Sequence, residues 1–422
     1  MWPSARSLGR RLRQLRQASN KTQMEVARVL GVSRSTVAQI ELGNRNLRAD
    51  EVDRLAVLYG CSVASILSAK ESSPGTDLDV ADDLARSTPE LAEHAGSCEE
   101  LRRAIAAARA LTELEAALGL DVLRSGPLPY KYSSPSTPWE AIHQGYGAAE
   151  EERRRLSLGE APVRDVDELL ASCRVRATKV ELPAEINALY VQASDIGHVV
   201  VVNRRLPFES RRFCYAHGYA HALFDADRQR LVCRQSDQDS LIELRASAFA
   251  GRFLVPERAV RQYLQSLGKE TLGRASGAVQ RMFMEQQAAP SGKEERLRVR
   301  GRGRRGATPI GLCDIVQLAR YFGVRRMLVA HCLRNYRLIT DQELEAFQRC
   351  EADGRAAQVA SALGLSAPHA DAAPDSLSTR LAALAAEALR RRVIELEKFE
   401  SILGVAACSD EQADALRELA LA

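Results

Sequence analysis

Apolar residues recur at helical spacing through the first seventy positions: Leu8, Leu12 and Leu15, then Val26, Ala27 and Leu30, then Val37 and Ile40. Thr22-Gln-Met-Glu25 has the form of a capping box, Gly31 interrupts the pattern, and Ser33 stands where the next helix needs an N-cap. Two helices joined by a short glycine turn make a helix-turn-helix. Further helices near 49–59 and 62–67 bring the count to five. Residues 68–82 read as a linker. A helical segment then runs to about residue 124, with Leu101, Ile105, Ala108 and Leu111 marking its apolar face. Prolines 127, 129, 135 and 138 form a second boundary. Beyond it the period changes. A helix through Ala148–Leu156 and the stretch Asp165–Leu170 precede strands at 175–181, Ala188–Val191 and His198–Val202. The last strand is β-branched at four successive positions and so reads as buried. Helical spacing returns at 212–225, 243–254, 256–267, 271–287 and 315–338, and in two closing helices at 377–403 and 409–421.

The pattern predicts a mostly α protein with a small α+β domain. Residues 1–70 form a five-helix domain and 71–138 an acidic helical linker region. The α+β domain spans 139–260, a helical subdomain spans 261–365, and a linker with helices fills 366–422.

Charge divides these segments further. Residues 1–67 carry eleven Lys/Arg against five Asp/Glu, whereas residues 68–120 carry five against eleven. A basic module followed by an acidic one points to an anionic partner for the first. Residues 291–306 hold seven cations and four glycines, a surface loop that either brushes a phosphate backbone or is simply solvated. The nine cysteines form no C-x-x-C pair, which fits reduced thiols in a cytoplasm. No apolar run approaches the ~18 residues of a membrane span, and the N-terminus lacks the apolar core of a signal peptide. The expectation is a cytoplasmic protein with no membrane partner.

The block 8–67, with Thr22-Gln23, Val26-Ala27, Gly31-Val32-Ser33, Val37, Ile40-Glu41 and Gly43, resembles the XRE/Cro-type helix-turn-helix domain. That resemblance implies double-stranded DNA as partner and a homodimer on two-fold sites. It also implies that Arg34, Ser35 and Gln39 face base edges, Arg34 suited to guanine and Gln39 to adenine. Gln23 and Arg45 match phosphate-contacting positions.

His217 and His221 stand i, i+4, so a helix presents both imidazoles on one face, as a zincin presents its first two ligands. The position after the first histidine, where a zincin has its general base, is Gly218. The order of Asn203, Arg212-Phe213, His217…His221 and Glu243-Leu-Arg-Ala246-Ser-Ala-Phe249-Ala250 resembles the ImmA/IrrE family of zinc metallopeptidases, over residues 139–260. The resemblance implies zinc held by His217, His221 and Glu243, with a fourth position open to water. Family members relieve repression by cleaving a helix-turn-helix repressor.

Gly218 departs from that pattern and leaves no catalytic residue assigned. Three readings stand: a packed relic of the site, zinc without catalysis, or catalysis through another base such as Asp225. Cys214, one helical turn before His217, is either a fourth ligand, a redox handle or a small buried residue. His198 reads as a core histidine. Gly218→Glu is expected to restore the base without crowding. Loss of a general base costs ~10²–10⁴-fold in rate. The first reading is therefore a DNA-binding transcriptional regulator with an impaired metallopeptidase-like sensor or oligomerisation domain. The alternative is an active zinc endopeptidase that cuts a repressor or itself. A plain interaction scaffold is opposed by the six excess positive charges of residues 1–67.

Overall fold

The structure is a computed structural model of the 422-residue chain. It describes residues 8–59, 80–120, 126–269, 309–365 and 375–421, with short breaks at 10–11, 14–15, 17–20, 46, 235 and 238–239. The expected helices at 62–67 and 271–287, most of both linkers and the basic segment 291–306 lie outside the described residues. The chain divides into two units, Met1–Val80 and Ala81–Ala422.

In the first unit, helical residues between 8 and 16 precede α1 (Gln23–Leu30), α2 (Arg34–Glu41) and α3 (Ala49–Tyr59). The capping box forms as its residues dictate. Thr22 Oγ1 accepts from the Glu25 amide, and the Thr22 amide donates to the Glu25 carboxylate at 2.7 Å. Gly31, at φ 72°, closes α1 in the left-handed region, and Ser33 caps α2 through the Thr36 amide. Leu12, Val26, Ala27, Leu30, Val37, Ile40, Val52, Leu55 and Ala56 form the core. The buried Glu41 carboxylate binds Arg16 at 2.6 Å and accepts from Gln23 Nε2 at 2.9 Å, so its charge is paired.

The second unit opens with α4 (Val80–Ser87), α5 (Pro89–Ala92) and α6 (Ala95–Ala117). The expected helical segment is broken where Pro89 takes the first position of a helix and forces Thr88 into extended backbone. Then come α7 (Pro138–Arg155), α8 (Val166–Ser172), β1 (Val175–Val180), β2 (Ile186–Ala193) and β3 (Gly197–Asn203). They are followed by α9 (Phe208–Phe224), β4 (Arg230–Arg234), α10 (Leu241–Leu254) and α11 (Glu257–Ser266). The helices α12 (Leu312–Phe322), α13 (Arg326–Asn335), α14 (Asp341–Ala352) and α15 (Arg355–Ala362) precede α16 (Ser376–Arg390), α17 (Leu396–Val405) and α18 (Asp410–Leu421). The single helix expected over 377–403 is two, because Arg392 turns into the left-handed region at φ 59°. Among the described residues no helix is long and apolar enough to cross a membrane.

The sheet order is β1-β3-β2-β4, with β1 parallel to β3 and the other pairs antiparallel. Asn203 ends β3 and ties it to the loop before β2. Its Nδ2 donates to the carbonyls of Leu182, Pro183 and Ile186, and its Oδ1 accepts from the Leu182 and Arg205 amides. One face carries Ala177, Ala188, Tyr190, Val200 and Val202 against α9. The other face meets α6 and α16. There Arg176 pairs with Glu115 at 2.8 Å and donates to the Ala108 carbonyl, while Thr178 bonds Asp375. Both faces of β3 are therefore covered, and its run of four valines is the composition such a strand needs.

Helices α7 and α10 touch backbone to backbone. A Cβ at Gly145 would lie 2.5 Å from the Arg245 carbonyl oxygen and 2.9 Å from the Phe249 nitrogen. Backbone atoms cannot rotate aside, so Gly145→Ala is expected to destabilise this unit by ~1–3 kcal/mol. A lower denaturant midpoint with an unchanged slope checks it, and an unchanged midpoint contradicts the contact.

Candidate functional site

Helix α9 points His217 and His221 to the same side, where the first turn of α10 delivers Glu243 and strand β4 delivers Cys233. The two Nε2 atoms are 3.1 Å apart. Glu243 lies 2.9 Å from His217 Nε2 and 3.4 Å from His221 Nε2. Cys233 Sγ is 3.6 Å from His221 Nε2. One donor atom from each of the four residues lies within 4.8 Å of the others. Zinc bonds of ~2.0–2.3 Å in a tetrahedron set neighbouring donors roughly 3.3–3.8 Å apart. The separations of 2.9–3.6 Å match that spacing to within a few tenths of an ångström, the whole set opening to no more than 4.8 Å, and two nitrogens, a sulfur and a carboxylate oxygen are donors a divalent ion accepts. Two imidazole nitrogens facing each other beside two acidic groups need a cation, either protons or a metal, to offset their lone pairs.

The far side of each ring is also held. Asp225 accepts from His221 Nδ1 at 2.9 Å, and its other oxygen accepts from the buried Arg245 at 2.9 Å. Ser247 Oγ lies 3.4 Å from His217 Nδ1. Such partners fix the tautomer and turn Nε2 toward the centre. Asp225 is therefore engaged with both His221 and Arg245, with no oxygen left unbonded to serve as a base.

Burial opposes every charge in this cluster, yet mutual attraction prevails. Desolvation is outweighed by the Cys233, Glu243 and Asp225 side chains, and both imidazoles hold protons above their ordinary range. Burial would raise the Cys233 thiol, but His221 and His217 draw it down. Glu243, buried too, is held well below the usual carboxylate range by hydrogen bonds from both histidines. Metal binding at these groups would displace the protons they hold. Cys214 is different in kind. It is buried outside the donor cluster, and desolvation pushes its thiol up to about 12.

At Gly218 the helix lies directly on β3. A Cβ there would stand 2.4 Å from Val200 Cγ1 and 2.8 Å from Cγ2. A glutamate at 218 is thus crowded by a buried valine, contrary to the expectation that it would fit freely. His198 is satisfied as expected, its Nδ1 2.8 Å from the Tyr190 hydroxyl.

Cys233 and the short strand that bears it were not legible beforehand. Arg-Leu-Val-Cys-Arg offers three apolar positions between charges, and its place is set by pairing with β2, Ala188 opposite Cys233. A sequence clue exists only in the alternation of Leu231 and Cys233, which puts both on one face.

In the first unit, Arg34, Ser35 and Gln39 are exposed on α2. Ser35 Oγ is 2.7 Å from Ser33 Oγ, and Asn44 Nδ2 donates to Gln39 Oε1 at 2.9 Å. Gln23 is half-buried and held by Glu41. Arg45 is held by Glu51 at 2.9 Å.

No curated protein and no solved structure was found to match the chain. Two family models do match. Residues 7–67 fit the one described as a helix-turn-helix domain, and residues 172–273 fit the IrrE N-terminal-like domain. All four donor residues fall in the second span. The chain therefore carries a helix-turn-helix domain fused to an IrrE N-terminal-like domain.

Proposed function

We propose that this protein is a cytoplasmic transcriptional regulator that binds duplex DNA as a homodimer and holds zinc in an IrrE-like domain that does not cut peptide bonds. The observation that carries the reading is Gly218 against Val200. The position from which a zincin's glutamate serves the metal-bound water has no side chain, and a valine fills the adjoining space. Asp225, the nearest substitute, is bound to His221 and Arg245. A bound zinc would supply Lewis acidity and lower the pKa of its water toward ~7, but among the described residues no free carboxylate stands where a zincin's glutamate would. The domain then serves as a sensor or an oligomerisation module.

The DNA-binding half of the reading rests on the helix-turn-helix domain, its local basic excess and the exposure of Arg34, Ser35 and Gln39 on α2. Base contact by Gln39 would exchange its bond to Asn44. Gln23 and Arg45, the expected phosphate contacts, are held in place by Glu41 and Glu51.

Three outcomes check the proposal. In a cleavage assay against itself and against helix-turn-helix repressors, the wild type should show no activity above a His217→Ala control, and Gly218→Glu alone should not create any. Zinc-dependent cleavage abolished by His217→Ala would overturn the reading and establish a peptidase. In quantitative DNA-binding assays, Arg34→Ala or Gln39→Ala should relax choice at one or two base pairs by ~1–3 kcal/mol each. Arg45→Ala should weaken all sequences alike and flatten the salt slope; no preference among random duplexes would refute it. Asp225→Asn should lower zinc affinity ~10–100-fold, measured by chelator competition, because His221 loses its anionic partner. An unchanged affinity would show that Asp225 does not orient a ligand.

A further inference from the structure

We infer that Cys233 is a fourth protein ligand, so that the centre is a closed, thiolate-bearing metal site with no coordination position left for water. The inference rests on the zinc-holding reading above and goes beyond its three ligands. Four protein ligands are the mark of a structural zinc site, whereas a catalytic site keeps one position open.

Three observations place the sulfur there. The first is register. Cys233 pairs with Ala188 on β2, the alternate side of the sheet from Leu189 and Val191, and shares with Ala188 the face covered by α9. The methyl group of Ala188 is small enough to leave the sulfur reaching upward to the imidazoles. The second is distance, with Sγ 3.6 Å from His221 Nε2 and the four donor atoms within 4.8 Å of one another. The third is contrast with the other buried thiols. Cys214 and Cys332 are as buried as Cys233, yet neither joins the donor set. Cys332 Sγ faces the Gly251 carbonyl at 4.0 Å. Among the described cysteines only Cys233 joins the two histidines and Glu243 in one donor set.

The ligands come from three elements, so the ion would clasp α9, α10 and the edge strand β4 together. Strand β4 also holds the start of this unit, through Arg234 to Glu90 at 2.8 Å and through Arg230 to Asp83. Those acidic partners lie on α4 and α5, the first described helices after the helix-turn-helix domain in the chain. Such a closed site suits metal-dependent order in this segment better than hydrolysis.

The test uses the full-length protein loaded with cobalt(II) in place of zinc. The wild type should show the near-ultraviolet thiolate-to-cobalt charge-transfer band and the intense visible bands of four-coordinate cobalt. Cys233→Ser should lose the charge-transfer band while still binding cobalt, and Cys214→Ser should keep it. Zinc X-ray absorption of the unmodified protein needs no variant and should show one sulfur neighbour at ~2.3 Å. Cobalt bound without a thiolate band, a band that survives Cys233→Ser, zinc without sulfur, or no metal binding at all would each overturn the inference. The cleavage assay separates this from the proposed function. Peptidase activity with a thiolate band present would sink the regulator reading and leave Cys233 a ligand. Absent cleavage with no band would do the reverse.

Discussion

The centre depends on how closely α9 lies on the sheet. At Gly218 the helix backbone rests on Val200 with no side chain between them. At the same level of the sheet Val200 pairs with Tyr190, and Tyr190 with Leu231, so the helix passes from β3 across β2 toward β4. The His221 ring lies 6.1 Å from the Tyr190 ring, and its Nε2 continues on to Cys233. A larger residue at 218 would meet Val200 and disturb the seating of the helix on β3. The bare position at 218 and the nearness of Cys233 both sit where α9 lies on the sheet. A Glu at 218 would also place a carboxylate against buried valine methyls, where an unpaired charge costs several kcal/mol.

Local rules exposed most of what matters in the chain. The capping box, the glycine turn and the helical period of residues 8–40 lie within a few residues of one another, and the first unit follows them. The i, i+4 histidines and the four-valine strand are equally local signals. Long-range partners escaped. Strand β4 has weak propensity and exists because β2 offers it an edge. Asp225 stands one turn after His221, but its role as a ring-orienting group depends on Arg245, twenty residues on and on another helix. The breaks at Thr88 and Arg392 were missed for another reason, because apolar periodicity carries across a turn that preserves the facing side.

The sheet is also more enclosed than the matched family span would make it. Residues 172–273 include all four strands with α9 and α10, but the opposite face is covered by α6 from before that span and α16 from after it. Arg176 and Glu115 bridge β1 to α6, and Arg380 on α16 joins the same carboxylate at 2.9 Å. One buried acid with two guanidinium partners is fully paired, so the flanking helices are fastened to the sheet by charge as well as by apolar contact. The core is therefore shared between the family domain and its flanking segments.

Charge also distinguishes the two kinds of metal site this frame can make. With His217, His221 and Glu243 alone, a divalent ion keeps one unit of positive charge, and that excess drives ionisation of a bound water. Adding the Cys233 thiolate brings two negative ligands against two positive charges and leaves the inner sphere neutral. Asp225 and Arg245 behind His221 cancel one another, 2.9 Å apart and both buried. A neutral centre is what a buried pocket tolerates at least cost, since desolvation penalises net charge and not dipoles. The same neutrality removes the electrostatic reason to hold a hydroxide. In the four-ligand site we propose, the cysteine on β4 would act against hydrolysis together with the missing side chain at Gly218.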